Sequence, residues 1–143
     1  MDIIIEERAE APAVIIRCKS IDEHVTRLKA HIELFEHRLT VQQDGARSYI
    51  ETTSVLYFES VDDRTFLYTD GAVLESSLRL YEVENALSDH GFLRISKSVV
   101  VNLYQIRSLR PEINRTITAT MCNGERLVIS RLYAKKLRSL LHC

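Results

Sequence analysis

Five histidines, three cysteines and the Asp62-Asp63 pair are the side chains of this 143-residue sequence best suited to holding a metal or attacking a substrate. Their spacing does not assemble them. His24 and His31 stand seven apart on one predicted helix, about 10 Å along its axis and too far to share an ion. Cys18, Cys122 and Cys143 form an odd set without CxxC spacing. Neither a disulfide framework nor a cysteine zinc site is expected from them, and they read as single thiols filling small spaces in a reducing compartment. Asp62-Asp63 reads as a charged turn between strands. The sequence holds no HExxH, GxGxxG or GxxxxGK[ST], and no local pattern of nucleophile, base and orienting acid. A non-enzyme is expected, with no cofactor implied.

What remains is charge, and the net value of -1 conceals it. Residues 1–45 carry 6 Lys and Arg against 9 acids, residues 46–90 carry 3 against 9, and residues 91–143 carry 10 against 2. A basic third of this strength attracts polyanions. The alternative is a solvated basic face that pairs with the acidic middle segment. The remaining composition is that of an ordinary globular chain, at 45% hydrophobic and 27% charged with 4 Gly and 2 Pro. The N-terminus bears acids where a signal peptide carries bases, and no apolar run reaches the roughly 18–20 residues of a membrane span. A cytoplasmic location is expected.

The elements that must carry these cations read as mostly β. Ile3-Ile4-Ile5 and Ala13-Val14-Ile15-Ile16 are predicted as two strands. Ile21, Val25, Leu28, Ile32, Phe35 and Leu39 recur at helical spacing, with Ser20 or Asp22 as cap. From Arg38 the period becomes two. Turns at Asp44-Gly45, Asp70-Gly71 and Asn123-Gly124 punctuate short strands. Ser76 or Ser77 is predicted to cap a helix with Leu80, Val83 and Leu87 on one face, ended by Gly91. A last helix follows Ser130, with Tyr133, Leu137, Leu140 and Leu141 on one side and Arg131, Lys135, Lys136 and Arg138 on or near the other. The tally is about ten strands and two or three short helices.

In order along the chain come Val55-Leu56-Tyr57-Phe58-Glu59-Ser60, the Asp70-Gly71 hairpin, Ser77-Leu78-Arg79, the block Phe92 to Leu103, Asn123-Gly124-Glu125, and Val128-Ile129-Ser130-Arg131-Leu132-Tyr133. This series resembles the LytTR family of bacterial DNA-binding domains, from about Arg47 to Leu141. The resemblance implies small antiparallel sheets with short helices. It also implies that loops, rather than one recognition helix, enter successive major grooves and bend the duplex. Carried over by position, Lys97 within Ser96-Lys97-Ser98 and Arg131 after Ser130 match two groove contacts. The loop Val61–Thr65 matches a third, with Arg64 its basic residue. Arginine and lysine both reach guanine acceptors, Ser96 and Ser98 suit phosphate oxygens, and Lys135 and Lys136 suit backbone contacts. Asn102 reads as structural, and Tyr57, Phe58, Phe92 and Tyr133 as core or supporting residues.

The expected division is an N-terminal strand–strand–helix element over 1–45 and a LytTR-like domain over 46–143. Forty-five residues are too few for the receiver domain that many members carry, so phosphorylation through a fused receiver is not expected. Packing on the protein's own sheet is the favoured reading of the helical seam Ile21–Leu39, which is otherwise the expected place of subunit or partner contact. The functional expectation is a transcription regulator that binds double-stranded DNA, as a homodimer on repeated half-sites. A regulatory membrane-protein partner is compatible with it. The alternative is an interaction module whose basic face docks an acidic protein.

Overall fold

The computed structural model describes residues 1–8, 10, 12–35 and 38–141. Three helices, α1 (Glu23–Phe35), α2 (Leu80–Leu87) and α3 (Arg131–Leu141), accompany ten strands. The strands are β1 (Arg38–Gln43), β2 (Ala46–Glu51), β3 (Val55–Val61), β4 (Arg64–Thr69), β5 (Ala72–Ser76), β6 (Phe92–Arg94), β7 (Val99–Asn102), β8 (Ile106–Pro111), β9 (Ile117–Met121) and β10 (Arg126–Ile129). A seven-stranded sheet runs β2-β1-β5-β4-β3-β7-β6, and a second sheet runs β10-β9-β8. Every pairing is antiparallel. The mostly β expectation holds, although the sheets are unequal in size.

The layers follow from β3. Val55, Leu56, Tyr57 and Phe58 are all at most 4% exposed, so the strand is apolar on both faces, as a strand covered on two sides must be. Val55 and Phe58 join Val83, Leu87 and Phe92 in one core, on the side of α1 and α2. Leu56 and Tyr57 join Ile117, Met121, Ile129 and Leu137 in the other, beneath the small sheet and α3.

Local chemistry explains several boundaries. Asp44 and Gly45 both take positive φ, 52° and 76°, the two-residue geometry that closes β1 onto β2. Gly91 has φ 84°, and a Cβ there would stand 2.3 Å from the Tyr104 ring. Asn102 is buried as a bracket. Its amide donates to the Val55 carbonyl at 3.0 Å, and its oxygen accepts from Tyr104 N–H at 3.1 Å, where a short 3-10 turn begins. Phe58 and Phe92 are buried, and Tyr57 stacks on Tyr68 at 4.3 Å.

The N-terminal expectations need correction. Ile3–Ile5 and Ala13–Ile16 form no strands; Ile3, Ile4, Ile5, Val14 and Ile15 are 67–89% exposed, and among the described residues no strand pairs with them. The ten strands therefore lie from Arg38 onward. The helix is described as far as Phe35, and Leu39, expected on its seam, is instead buried in β1 opposite Ile50. An apolar residue in helical phase fits equally well at an inward strand position. Asp22 does cap α1, accepting from Val25 N–H at 2.9 Å. The α2 cap is Arg79, because Ser76 is consumed as the last residue of β5. Cys18 and Cys122 are exposed rather than filling the interior, since neither the N-terminal segment nor the β9–β10 turn is covered. Cys143 and the side chains of Phe35, Leu140 and Leu141 lie outside what is described. The division at 45/46 falls within the β1–β2 hairpin turn, and β1 bridges β2 to β5.

At the free edge, the β2 residue Tyr49 lies between Lys29 and Arg38, whose charges stand 5.5 and 5.0 Å from its ring. Among the described residues, no helix is long and apolar enough to cross a membrane.

Glu82 ties α1 to α2. It accepts from Arg27 and from Arg79 N–H, and meets the imidazole of His31. Burial opposes its charge, but the Arg79, His31 and Arg27 contacts prevail and hold its carboxyl below the usual value. A depressed carboxylate pKa adds stability above the unfolded-state value, and that stability is lost as pH falls through the folded-state value. In acid denaturation series, the parent should lose stability below about pH 4.5, and Glu82→Gln should flatten that part of the profile.

Candidate nucleic-acid interface

Lys97, Arg131 and the β3–β4 turn are brought together by two backbone hydrogen bonds. Ser130 N–H donates to the Ile95 carbonyl at 2.9 Å, which fixes the start of α3 beside the β6–β7 loop. Ser60 N–H donates to the Ser98 carbonyl at 2.8 Å, which fixes that loop beside the end of β3. Three turns thus share one edge of the molecule. Lys97 and Arg131 are both exposed on it.

The Lys97 loop is built, not merely connected. Ile95 N–H closes it onto the Val99 carbonyl at 3.0 Å, and the Ser96 hydroxyl accepts from Ser98 N–H at 3.3 Å. The guanidinium of Arg94 donates to the carbonyls of Ser96 and Lys97 and meets Glu84 at 3.5 Å. With both carbonyls turned toward Arg94, the Lys97 side chain is left to project from a clamped turn. Arg94 was not singled out from sequence; its place two residues before the Ser96-Lys97-Ser98 turn is the signal that could have found it.

Arg131 opens α3, which Ser130 precedes, the Ser130 carbonyl accepting from Ala134 N–H at 2.7 Å. Ala134 and Leu137 are buried against the small sheet, so Arg131, Lys135 and Lys136 face outward. Lys136 lies 5.1 Å from the Tyr133 ring. The β8–β9 turn closes the same end of the small sheet, since Pro111, Ile117 and Ile129 are in register. That turn exposes Arg115 at φ 70°, a second cation that sequence reading passed over.

Arg64 is placed differently from Lys97 and Arg131. It is the first residue of β4, and its guanidinium grips both oxygens of Glu75 at 2.8 and 2.7 Å while lying over Phe66. Hydrogen bonding within the pair raises the arginine pKa and lowers that of Glu75. The tip of this turn is Asp62-Asp63, both at positive φ, so its foremost charges are negative.

Both acids of the basic third are spent internally. Glu125 accepts from the Tyr57 hydroxyl at 2.8 Å, and Glu112 accepts from Arg110 and Thr118. Burial and the Glu125 bond push the Tyr57 hydroxyl up, and the Glu59 bond pushes Tyr68 to about 12, so both remain protonated donors. Pairing of the basic third with the acidic middle segment fails as an account of the charge. Among the described residues, Arg94–Glu84 is the one ion pair that joins them.

The edge is thus a row of clamped, cation-bearing turns. Residues 46–142 match the model of the LytTr DNA-binding domain. The chain belongs to the LytTR family. That family consists of DNA-binding regulators, not enzymes. Sensory transduction protein LytT of Bacillus subtilis is 26% identical over 137 residues, which are 96% of this chain and 56% of that protein. This chain thus spans little more than half of that relative. An uncharacterized HTH-type transcriptional regulator of Staphylococcus aureus is 29% identical over 130 residues, 85% of this chain and 88% of its own. Among solved structures, the LytTr DNA-binding domain of a Bacillus cereus response regulator superposes with TM-score 0.70 at 27% identity, covering 75% of this chain and 98% of its own. In the LytTR chain described here, strands separate α1, α2 and α3, so no two of them form a helix–turn–helix pair.

Removing the Arg94 clamp while keeping its apolar stem should loosen the loop. In Arg94→Met, amide exchange at residues 96–98 should accelerate at least several-fold while the β3 and β7 amides keep their protection.

Proposed function

We propose that this chain is a sequence-specific regulator of transcription that reads double-stranded DNA with Lys97 and Arg131 in the major groove. The observation that carries the proposal is the pair of backbone hydrogen bonds, Ser130 to Ile95 and Ser60 to Ser98, which puts the loops of both residues on one edge. Arg131 has the donors for bidentate contact with guanine O6 and N7, and Lys97 can reach the same acceptors. Ser96, Ser98, Lys135 and Lys136 are assigned to phosphates, which set register without reading sequence. Arg64 is assigned a supporting place: its exposed pair with Glu75 is of a kind that contributes about 0–1 kcal/mol and can be exchanged for a phosphate. Location in the bacterial cytoplasm and control by a separate membrane protein belong to the same proposal.

Selection of bound fragments from a random duplex pool should return a defined site. Arg131→Ala should then lose about 1–3 kcal/mol of specific affinity with the fold unchanged. Affinity of the parent should fall about 10³-fold or more between 50 and 200 mM salt if six or more phosphates are contacted. Salt-independent binding would count against the DNA reading, whereas the acidic-protein reading predicts no preference among DNA sequences and one dominant protein partner in a pull-down.

We further propose that the chain works as a dimer on two half-sites. The support is the exposed run of Ile3, Ile4, Ile5, Val14 and Ile15, and the α1 seam, whose Val25, Leu28 and Ile32 are only half-buried. Apolar surface of this extent is a mark of an interaction site. Light scattering should give twice the chain mass for the parent and the single mass after removal of residues 1–20; identical masses would refute it.

A further inference from the structure

The three-stranded sheet has one packed face and one bare face. Ile117, Ala119, Met121 and Ile129 point inward and are at most 4% exposed. Side chains alternate along a strand, so Ser108 and Arg110 on β8, Thr118 and Thr120 on β9, and Arg126 and Val128 on β10 occupy the outer face. Arg107 joins them at the register shift between Ile106 and Ser108. Six of these residues, all but Val128, line a cavity of about 300 Å³.

Register sets Ser108 and Arg126 on either side of Thr120. The β8 and β10 backbones stand about 10 Å apart, a gap that Arg107 and Arg126 can close onto one anionic group above Thr120. Glu112 is already engaged by Arg110 Nε at 3.0 Å and Thr118 Oγ1 at 2.9 Å. Arg107 and Arg126 have no side-chain partner among the described residues. Like charges on one sheet face repel, and nothing in the fold uses these two guanidiniums. Arginine with hydroxyls between is the donor set that matches phosphate. The face is also continuous with the loop edge, through Arg110 and Arg115 at the end of the sheet where Ser130 and Arg131 follow.

We propose that this face is a rail for the DNA backbone, on which Arg107, Arg126, Ser108 and Thr120 hold phosphates beyond the bases that Lys97 and Arg131 reach. The inference rests on the DNA-binding reading and adds a second contact surface, on strands instead of turns.

The test compares Arg107→Gln/Arg126→Gln with Arg107→Lys/Arg126→Lys in the full chain. Each is titrated across a salt series against the selected site flanked by about one helical turn on each side, and against random duplex of equal length. The Gln pair should bind both duplexes about 10-fold or more weakly at low salt, with a log–log salt slope shallower by about two and the site-to-random ratio unchanged. Hydroxyl-radical protection outside the groove-contacted bases should shrink, and the Lys pair should recover the slope. Unchanged slope and protection in a Gln pair that melts with the parent overturns the rail; if that pair melts early, the single Gln variants are read in its place. Parent binding of inorganic pyrophosphate that the Gln pair loses, without any change toward DNA, also overturns it in favour of a small phosphorylated ligand. In contrast, failure of the parent to select any duplex defeats the DNA reading itself.

Discussion

A strand buried on both faces has no solvent side to slide toward, and β3 is under that constraint throughout Val55–Phe58. A shift by one residue would carry side chains of this bulged stretch from one core into the other, and the two cores differ in shape. The depth of β3 therefore sets the height of everything hydrogen-bonded to its end. Ser60 locates Ser98, the β6–β7 loop locates Ser130, and Ser130 starts α3. The edge that carries Lys97 and Arg131 inherits its geometry from apolar packing well behind it.

The same packing governs the electrostatics. Tyr57 is held by the core but extends its hydroxyl to Glu125, withdrawing one of two acids from the basic third. Glu112 withdraws the other by bonding Thr118 and Arg110. Three acids of the middle segment are engaged away from the basic third, Glu82 with α1, Glu75 with Arg64 and Glu59 with Tyr68, while Glu84 meets Arg94. The positive field thus follows from ten Lys and Arg against two acids in residues 91–143, with both acids held by internal partners.

Local signals in the sequence carried far. The Asp44-Gly45, Asp70-Gly71 and Asn123-Gly124 turns each join adjacent antiparallel strands, because a two-residue preference for positive φ or an Asx contact needs no distant partner. Phe58, Phe92 and Asn102 were legible for a similar reason. The failures are non-local. Ile3–Ile5 has strand composition but no pairing strand among the described residues, while Leu39 satisfies helical and strand periods alike. Arg64 looked available until Glu75 was found across the β4–β5 pair, eleven residues along the chain. Arg94 became legible as a clamp only once the loop carbonyls turned toward it. The outer face of the small sheet required register, which assigns Arg110 and Arg126 to one side.

The free edge of the large sheet shows another economy. An unpaired strand invites a neighbouring molecule to extend the sheet, and repeated extension ends in aggregation. Here β2 offers its outer backbone beside Arg47, with Lys29 and Arg38 gathered at Tyr49. A second copy approaching edge to edge brings the same cations against themselves. Charge on that border works as a guard against fibrillar growth, a duty separate from any contact with nucleic acid, and it is weakest where concentrated salt screens like charges from one another.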